Sequence, residues 1–233
     1  MSEPYPASPT GGLPHPRVRG LVVDWGGVLT TGLSGSMQAW TAQEGIEFDR
    51  FVQVMGAWAV DGQAPGAPPS PIHALERAEI STAEFQQRLA SALGGPGGRQ
   101  VGADGLLERM FAHFRPAPAM LELVGRVHDA GLRTALLSNS WGNRYPREGW
   151  DTLFDAVVIS GEVGMRKPEP RIFRHTLDLL GLVPGEVVFV DDLASNVVAA
   201  EALGMVGLRH EEYEQTARAL EPLLGLGLLG PQR

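Results

Sequence analysis

Apolar and polar residues follow two different periods along this chain. Leu21-Val22-Val23 is a short, continuously apolar run, as expected of a strand buried on both faces. It ends in a carboxylate, Asp24, followed by Trp25 and two glycines, Gly26 and Gly27. The period then becomes helical. Phe51, Val54, Met55 and Trp58 recur at i, i+3, i+4 and i+7. Asp61 to Pro71 reads as a Pro/Gly loop. Ser81-Thr82-Ala83-Glu84 is a capping-box pattern, opening a helix with Phe85, Leu89 and Leu93 on one face and Gly94-Gly95 at its end. After a glycine-rich loop to Gly105, Leu107, Met110, Phe111 and Phe114 repeat the helical spacing. Residues 33–115 thus read as an all-helical unit.

From Pro116 onward helices and strands alternate. Met120, Leu123, Val124 and Val127 line a helix closed by Gly131, and Thr134 to Leu137 is a buried strand. Val157 to Ile159 is the next strand. A helix starts at Pro170, with Ile172, Phe173, Leu177 and Leu180 as its apolar face and Gly181 at its end. Val187 to Val190 is a strand ending at Asp191-Asp192; a helix through Val197, Ala200 and Leu203 stops at Gly204, and Met205 to Leu208 forms a last strand. Strands separated by helices of 10–15 residues imply right-handed βαβ units and a parallel sheet. The fold expected is α/β: a Rossmann-like core from 17–32 and 116–230, capped by the helical insert 33–115. Met1 to Pro16 reads as a disordered tail and Pro222 onward as a frayed end.

Composition narrows the function. The 233 residues are 43% hydrophobic, enough for one capped domain with a real core. There is no cysteine, which excludes disulfides, thiolate metal sites and a cysteine nucleophile. A formal net charge of -8 and the lack of a basic cluster argue against nucleic-acid binding. No apolar run approaches the roughly 20 residues of a membrane span, and the first residues lack a signal-like segment. A cytoplasmic protein, monomer or homodimer, is expected; an exposed cap face bearing Trp40 or Trp58 would be a pairing surface. Of the 19 basic residues only Lys167 is a lysine.

Three strand ends carry polar groups: Asp24, Ser138-Asn139 and Asp191-Asp192. The loop Gly164 to Pro170 adds Lys167 just before a helix. In a parallel sheet these C-terminal strand ends share one edge. Three carboxylates there repel one another unless a cation sits among them, and an all-oxygen donor set suits Mg²⁺. An ammonium and a hydroxyl beside that metal suit a phosphoryl group.

The four stretches resemble the four motifs of the haloacid dehalogenase superfamily. Ala135 to Trp141, Val163 to Pro170 and Val188 to Asp192 are similar to the phosphatase domain of soluble epoxide hydrolases, and the insert resembles a C1-type cap. The resemblance implies that Asp24 is a nucleophile forming an aspartyl-phosphate. It also implies that Ser138, the Asn139 amide and Lys167 hold phosphoryl oxygens. Mg²⁺ would be held by Asp24, the Gly26 carbonyl and Asp192, with Asp191 acting directly or through water. Asn196, one helical turn past the acidic pair, is expected to be structural. The implied substrate is a small phosphorylated metabolite.

One position departs from the family. Its phosphatases usually carry a second Asp, the general acid and base, two residues after the nucleophile; here that residue is Gly26. General acid–base help is worth about 10²–10⁴-fold. Asp61, His73, Glu76 and His113 are titratable cap residues, each better explained by surface or packing. Three readings stay open: a phosphatase of reduced activity, a phospho-ligand-binding protein with little turnover, and, more distantly, a 2-haloacid dehalogenase. Schiff-base chemistry is disfavoured because the insert has no lysine.

Overall fold

The computed structural model describes residues 18–59, 70–94, 100–142 and 144–229. Met1 to Pro16, Asp61 and part of the Gly94–Gly105 loop lie outside them. Five strands, β1 (Gly20–Val23), β2 (Arg133–Ser138), β3 (Ala156–Ile159), β4 (Val187–Asp191) and β5 (Val206–Arg209), form one sheet in the order β3-β2-β1-β4-β5. Every pairing is parallel. The short apolar run at Leu21 is therefore the centre of the sheet, and all four residues of β1 are buried.

Side chains alternate between the two sheet faces. Leu21, Val23, Leu136, Val188 and Val190 pack on one side, with α6 (Pro118–Asp129) and α10 (Tyr213–Leu224). Val22, Ala135, Leu137, Val187 and Phe189 face the other, covered by α8 (Pro170–Leu180) and α9 (Ala194–Glu201). A single turn, α7 (Ser160–Val163), follows β3. The register sets the chemistry. Val23 lies opposite both Leu136 and Val190, so Asp24 emerges level with Leu137 and Asp191.

Between β1 and α6 the chain forms α1 (Leu33–Glu44), α2 (Phe48–Ala59), α3 (Pro71–Glu76), α4 (Thr82–Gly94) and α5 (Leu106–Phe111). These share their own apolar cluster, centred on Trp40, Phe85, Leu89 and Leu106. The expected capping residue is in place: the Glu84 amide donates to Ser81 Oγ at 3.1 Å. The chain leaves and re-enters the sheet layer side by side, Thr31 N donating to Arg115 O at 2.7 Å and Ala117 N to Leu29 O at 2.9 Å.

Three expectations are corrected. Pro71 opens α3 instead of ending a loop, because Ser70 caps it and Pro at the first turn lacks only an amide with no helical partner. The C-terminal stretch to Leu229 is not frayed. Pro222 sits inside α10, and Leu224 and Leu228 are buried against the sheet, with Glu221 accepting the amides of Leu228 and Leu229. Trp40 is fully buried against Phe51, and half-buried Trp58 packs edge-on to Phe85, so neither supplies an exposed face. Among the described residues no helix is long and apolar enough to cross a membrane.

Candidate active site

Asp24 continues the β1 ladder, its amide donating to Val190 O at 2.9 Å, and its side chain stands at the sheet's C-terminal edge. There Lys167 Nζ lies 2.7 Å from Asp24 Oδ1 and 2.7 Å from Asp191 Oδ2. The ammonium is buried, with Nζ 5.6 Å from the centroid of the Phe189 ring. Its backbone is held too. Asn139 Oδ1 accepts the Lys167 amide at 2.8 Å and Asn139 Nδ2 donates to the Lys167 carbonyl at 2.9 Å. The Asn139 side chain therefore serves Lys167.

The two adjacent acids differ. Asp191 is fully buried and saturated: besides Lys167 it accepts from Asn196 Nδ2 at both oxygens and from the Leu193 amide at 2.8 Å. Asp192 Oδ1 is buried with no hydrogen-bond partner. Its Oδ2 lies where a Cβ on Gly27 would come within 2.5 Å, and Gly27 has φ +76°, so both space and backbone demand glycine there. Oxygens of Asp24, Asp191 and Asp192 lie within 4.8 Å of one another. An orphaned buried carboxylate oxygen beside two further acids fits a hard divalent cation.

Electrostatics follow from burial. Desolvation raises the Asp24 pKa to about 7; Lys167 pulls it back, while Asp191 and Asp192 push it up. Desolvation and the charge of Asp191 raise Asp192 to about 6 despite Lys167. For Lys167 burial acts downward, but Asp191 and Asp24 outweigh it and hold the ammonium above the ordinary lysine value.

Ser138, buried at the end of β2, lies 3.0 Å from the Tyr145 hydroxyl. Burial raises the Tyr145 pKa, so it stays protonated. No motif in the sequence singles out Tyr145, seven residues on in an irregular loop; only the fold returns it to Ser138. Arg166, beside Lys167, is a second unflagged contact. Its Nε meets Glu76 Oε2 at 2.5 Å, and Trp141 Nε1 donates to the other Glu76 oxygen at 3.2 Å. With Arg77 and Glu169 at 2.8 Å, these contacts tie α3 to the loop before α8.

Asp24, Gly26, Ser138, Asn139, Lys167 and Asp192 all line one cavity, with Asp191 directly beneath Lys167. Of the titratable cap residues, His73 and Glu76 reach this cavity, His113 is not among its lining, and Asp61 lies outside the described residues. Asn196 braces Asp191, a structural role.

Known proteins carry the same architecture. A solved haloacid dehalogenase-family enzyme from Bacteroides thetaiotaomicron, in complex with magnesium and inorganic phosphate, superposes with a TM-score of 0.60 at 20% identity, covering 85% of this chain and 98% of that one. Mouse acyl-CoA dehydrogenase family member 10 is 30% identical over 221 residues, which is 90% of this chain but 19% of that protein. A sesquiterpene phosphatase from Aspergillus oryzae is 31% identical over 65% of this chain and 78% of its own length. Rat bifunctional epoxide hydrolase 2 is 34% identical over 46% of this chain and 21% of its own. This chain thus spans about a fifth of the length of the mouse and rat proteins. The family model for haloacid dehalogenase-like hydrolases matches residues 18–204, so the chain belongs to that hydrolase family.

Proposed function

We propose that this hydrolase is a Mg²⁺-dependent phosphatase acting on a phosphate monoester, with helices α1–α5 (residues 33–115) as its cap over the core of 17–32 and 116–230. The observation that carries the reading is the Lys167 ammonium bridging Asp24 and Asp191 beside an unpartnered Asp192 oxygen. The sesquiterpene phosphatase and a phosphoserine phosphatase among the relatives support it.

Asp24 Oδ attacks phosphorus in line; the P–O bond to the alcohol breaks, and water then cleaves the aspartyl-phosphate. Lys167 offsets the charge gathered between nucleophile and phosphoryl oxygens. Ser138, oriented by Tyr145, and the Asn139 amide hold those oxygens. Asp24, the Gly26 carbonyl and Asp192 would hold Mg²⁺, which would supply positive charge beside the phosphoryl oxygens and keep Asp24 ionised at neutral pH. Asp191, already saturated, fixes Lys167 and the acidic loop. Gly26 has no side chain to protonate the departing oxygen, so turnover depends steeply on the alcohol's acidity.

The test is phosphate release from p-nitrophenyl phosphate. We expect turnover with Mg²⁺, none in EDTA, and a loss of about 10⁴-fold or more in Asp24→Asn. Phosphate protecting the protein from thermal unfolding without any turnover would instead favour the second reading, a phospho-ligand-binding protein, which the bare Gly26 suggests.

A further inference from the structure

We propose that the alcohol released at this site is long and apolar, so that the substrate is the monophosphate of a lipid-like alcohol. The inference rests on the phosphatase reading above and concerns the other end of the same cavity. That cavity has a volume of about 1150 Å³, and its lining extends from Asp24 and Lys167 to residues of α1, α2, α3 and α5 in the insert. Small-molecule sites are typically about 300–1,000 Å³. A phosphoryl group with a short polar tail would leave most of it empty.

The chemistry of the wall decides what fills the rest. Leu33, Met37, Phe48, Met55, Phe111 and Phe114 line it, and each is only partly buried. Other apolar side chains of the helical layer, among them Trp40, Phe85, Leu89 and Leu106, are completely buried. These six are uncovered toward the cavity, an apolar concavity of the kind that takes an apolar ligand. Two of them are methionines, whose unbranched thioethers adapt to tails of differing shape.

The charged residues of the wall point the same way. Arg166 is held by Glu76 at 2.5 Å, and Arg144 Nη2 by Glu108 at 3.1 Å. Lys167 is committed to Asp24 and Asp191. Among the described lining residues each Arg and Lys therefore has its own carboxylate. Arg166 and Lys167, both largely buried, are thus not free for a second anionic group, such as the carboxylate of an amino-acid phosphate or a second phosphate; Arg144, largely exposed, is the remaining cation of the described lining. The site selects one phosphoryl group and a hydrocarbon.

The experiment holds leaving-group chemistry constant. With Mg²⁺, kcat/KM is measured for butyl, octyl and dodecyl phosphate, each below the concentration at which it self-associates, and for phosphoserine. Each buried methylene contributes about fourfold. We expect kcat/KM to rise at least about 100-fold from butyl to dodecyl phosphate, with phosphoserine below butyl phosphate. Met55→Glu, which puts a charge in the wall, should lower the dodecyl-to-butyl ratio about tenfold or more, and the wild-type series decides if that variant does not fold. Turnover without a chain-length slope, or with phosphoserine preferred, overturns the inference and leaves the phosphatase reading standing. If no ester is turned over, the phosphatase reading fails separately. The same esters titrated against Asp24→Asn then read the slope in Kd, and a flat slope there overturns the inference as well.

Discussion

The two walls of the cavity are built on opposite principles. The sheet edge gathers charge: three carboxylates and one ammonium, nearly all buried, each placed by a strand end or an adjoining loop. The helical wall is apolar, half-covered and partly methionine, and its acids Glu76 and Glu108 pair with Arg166 and Arg144 of the sheet-side loops. On the sheet side backbone hydrogen bonds fix geometry to within a side chain's reach, which electrostatic chemistry needs. On the helical side the requirement is only removal of hydrocarbon from water, which is non-directional and tolerates many shapes. Reaction and selectivity are thereby separable in this fold.

The largest effect expected from breaking that separation is at Gly26. A Cβ there would meet only Leu33 Cδ2, at an ordinary 3.5 Å, and the backbone is not left-handed. Gly26→Asp should therefore fold normally and place a carboxyl at the cavity wall. Turnover of alkyl phosphates should rise by up to about 10²–10⁴-fold, and its dependence on leaving-group acidity should flatten. Unchanged activity in a folded variant would show that the proton already comes from another protein group.

Next comes Lys167→Met, which leaves the buried acids without their ammonium. Removing one partner of a buried ion pair costs about 3–5 kcal/mol. Met55→Ala on the opposite wall should cost only about 1 kcal/mol. Urea unfolding at pH 8 without metal checks the contrast. Similar losses for the two would mean that the charged edge is more solvated than its burial implies.

The smallest effect is in pH and metal. Asp24 near 7 and Asp192 near 6 both lie above the 3.8 of an unperturbed aspartate, so proton uptake favours the folded state. In EDTA, stability should fall as pH rises through about 6 to 7 and recover toward pH 5. Mg²⁺ competes with those protons, so it should raise the melting temperature more at pH 8 than at pH 5. One pKa unit is about 1.4 kcal/mol, or about 3–6 °C for a chain of this size. An equal Mg²⁺ shift at both pH values would remove the metal from this cluster.

Much of this was legible in the chain. The run Leu21 to Val23 read as a doubly buried strand, and strand-to-helix alternation after Pro116 required a parallel sheet whose ends share an edge. Asp24, Ser138, Lys167 and the Asp191-Asp192 pair could be assigned to that edge from topology. Tyr145 could not, because it stands in an irregular loop where no period or motif places a side chain. The order of the Pro222 segment is not legible either: leucines between glycines carry no periodicity, and only the packing of Leu224 and Leu228 into the core holds it. The burial of Trp40 has no such signal, because α1 is only weakly amphipathic and its spacing does not mark which face is inward.

The sequence by itself determined the layer order, the strand ends and the absence of a side chain at position 26. These depend on local period and backbone chirality. Only the tertiary structure decided that Asp191 is saturated while Asp192 keeps an open oxygen. Only it showed that the Asn139 side chain is spent on Lys167, and that apolar side chains of α1, α2 and α5 line the same cavity as Asp24 and Lys167. Those facts depend on which distant groups finish within about 3–4 Å of each other, a distance that no spacing along the chain encodes.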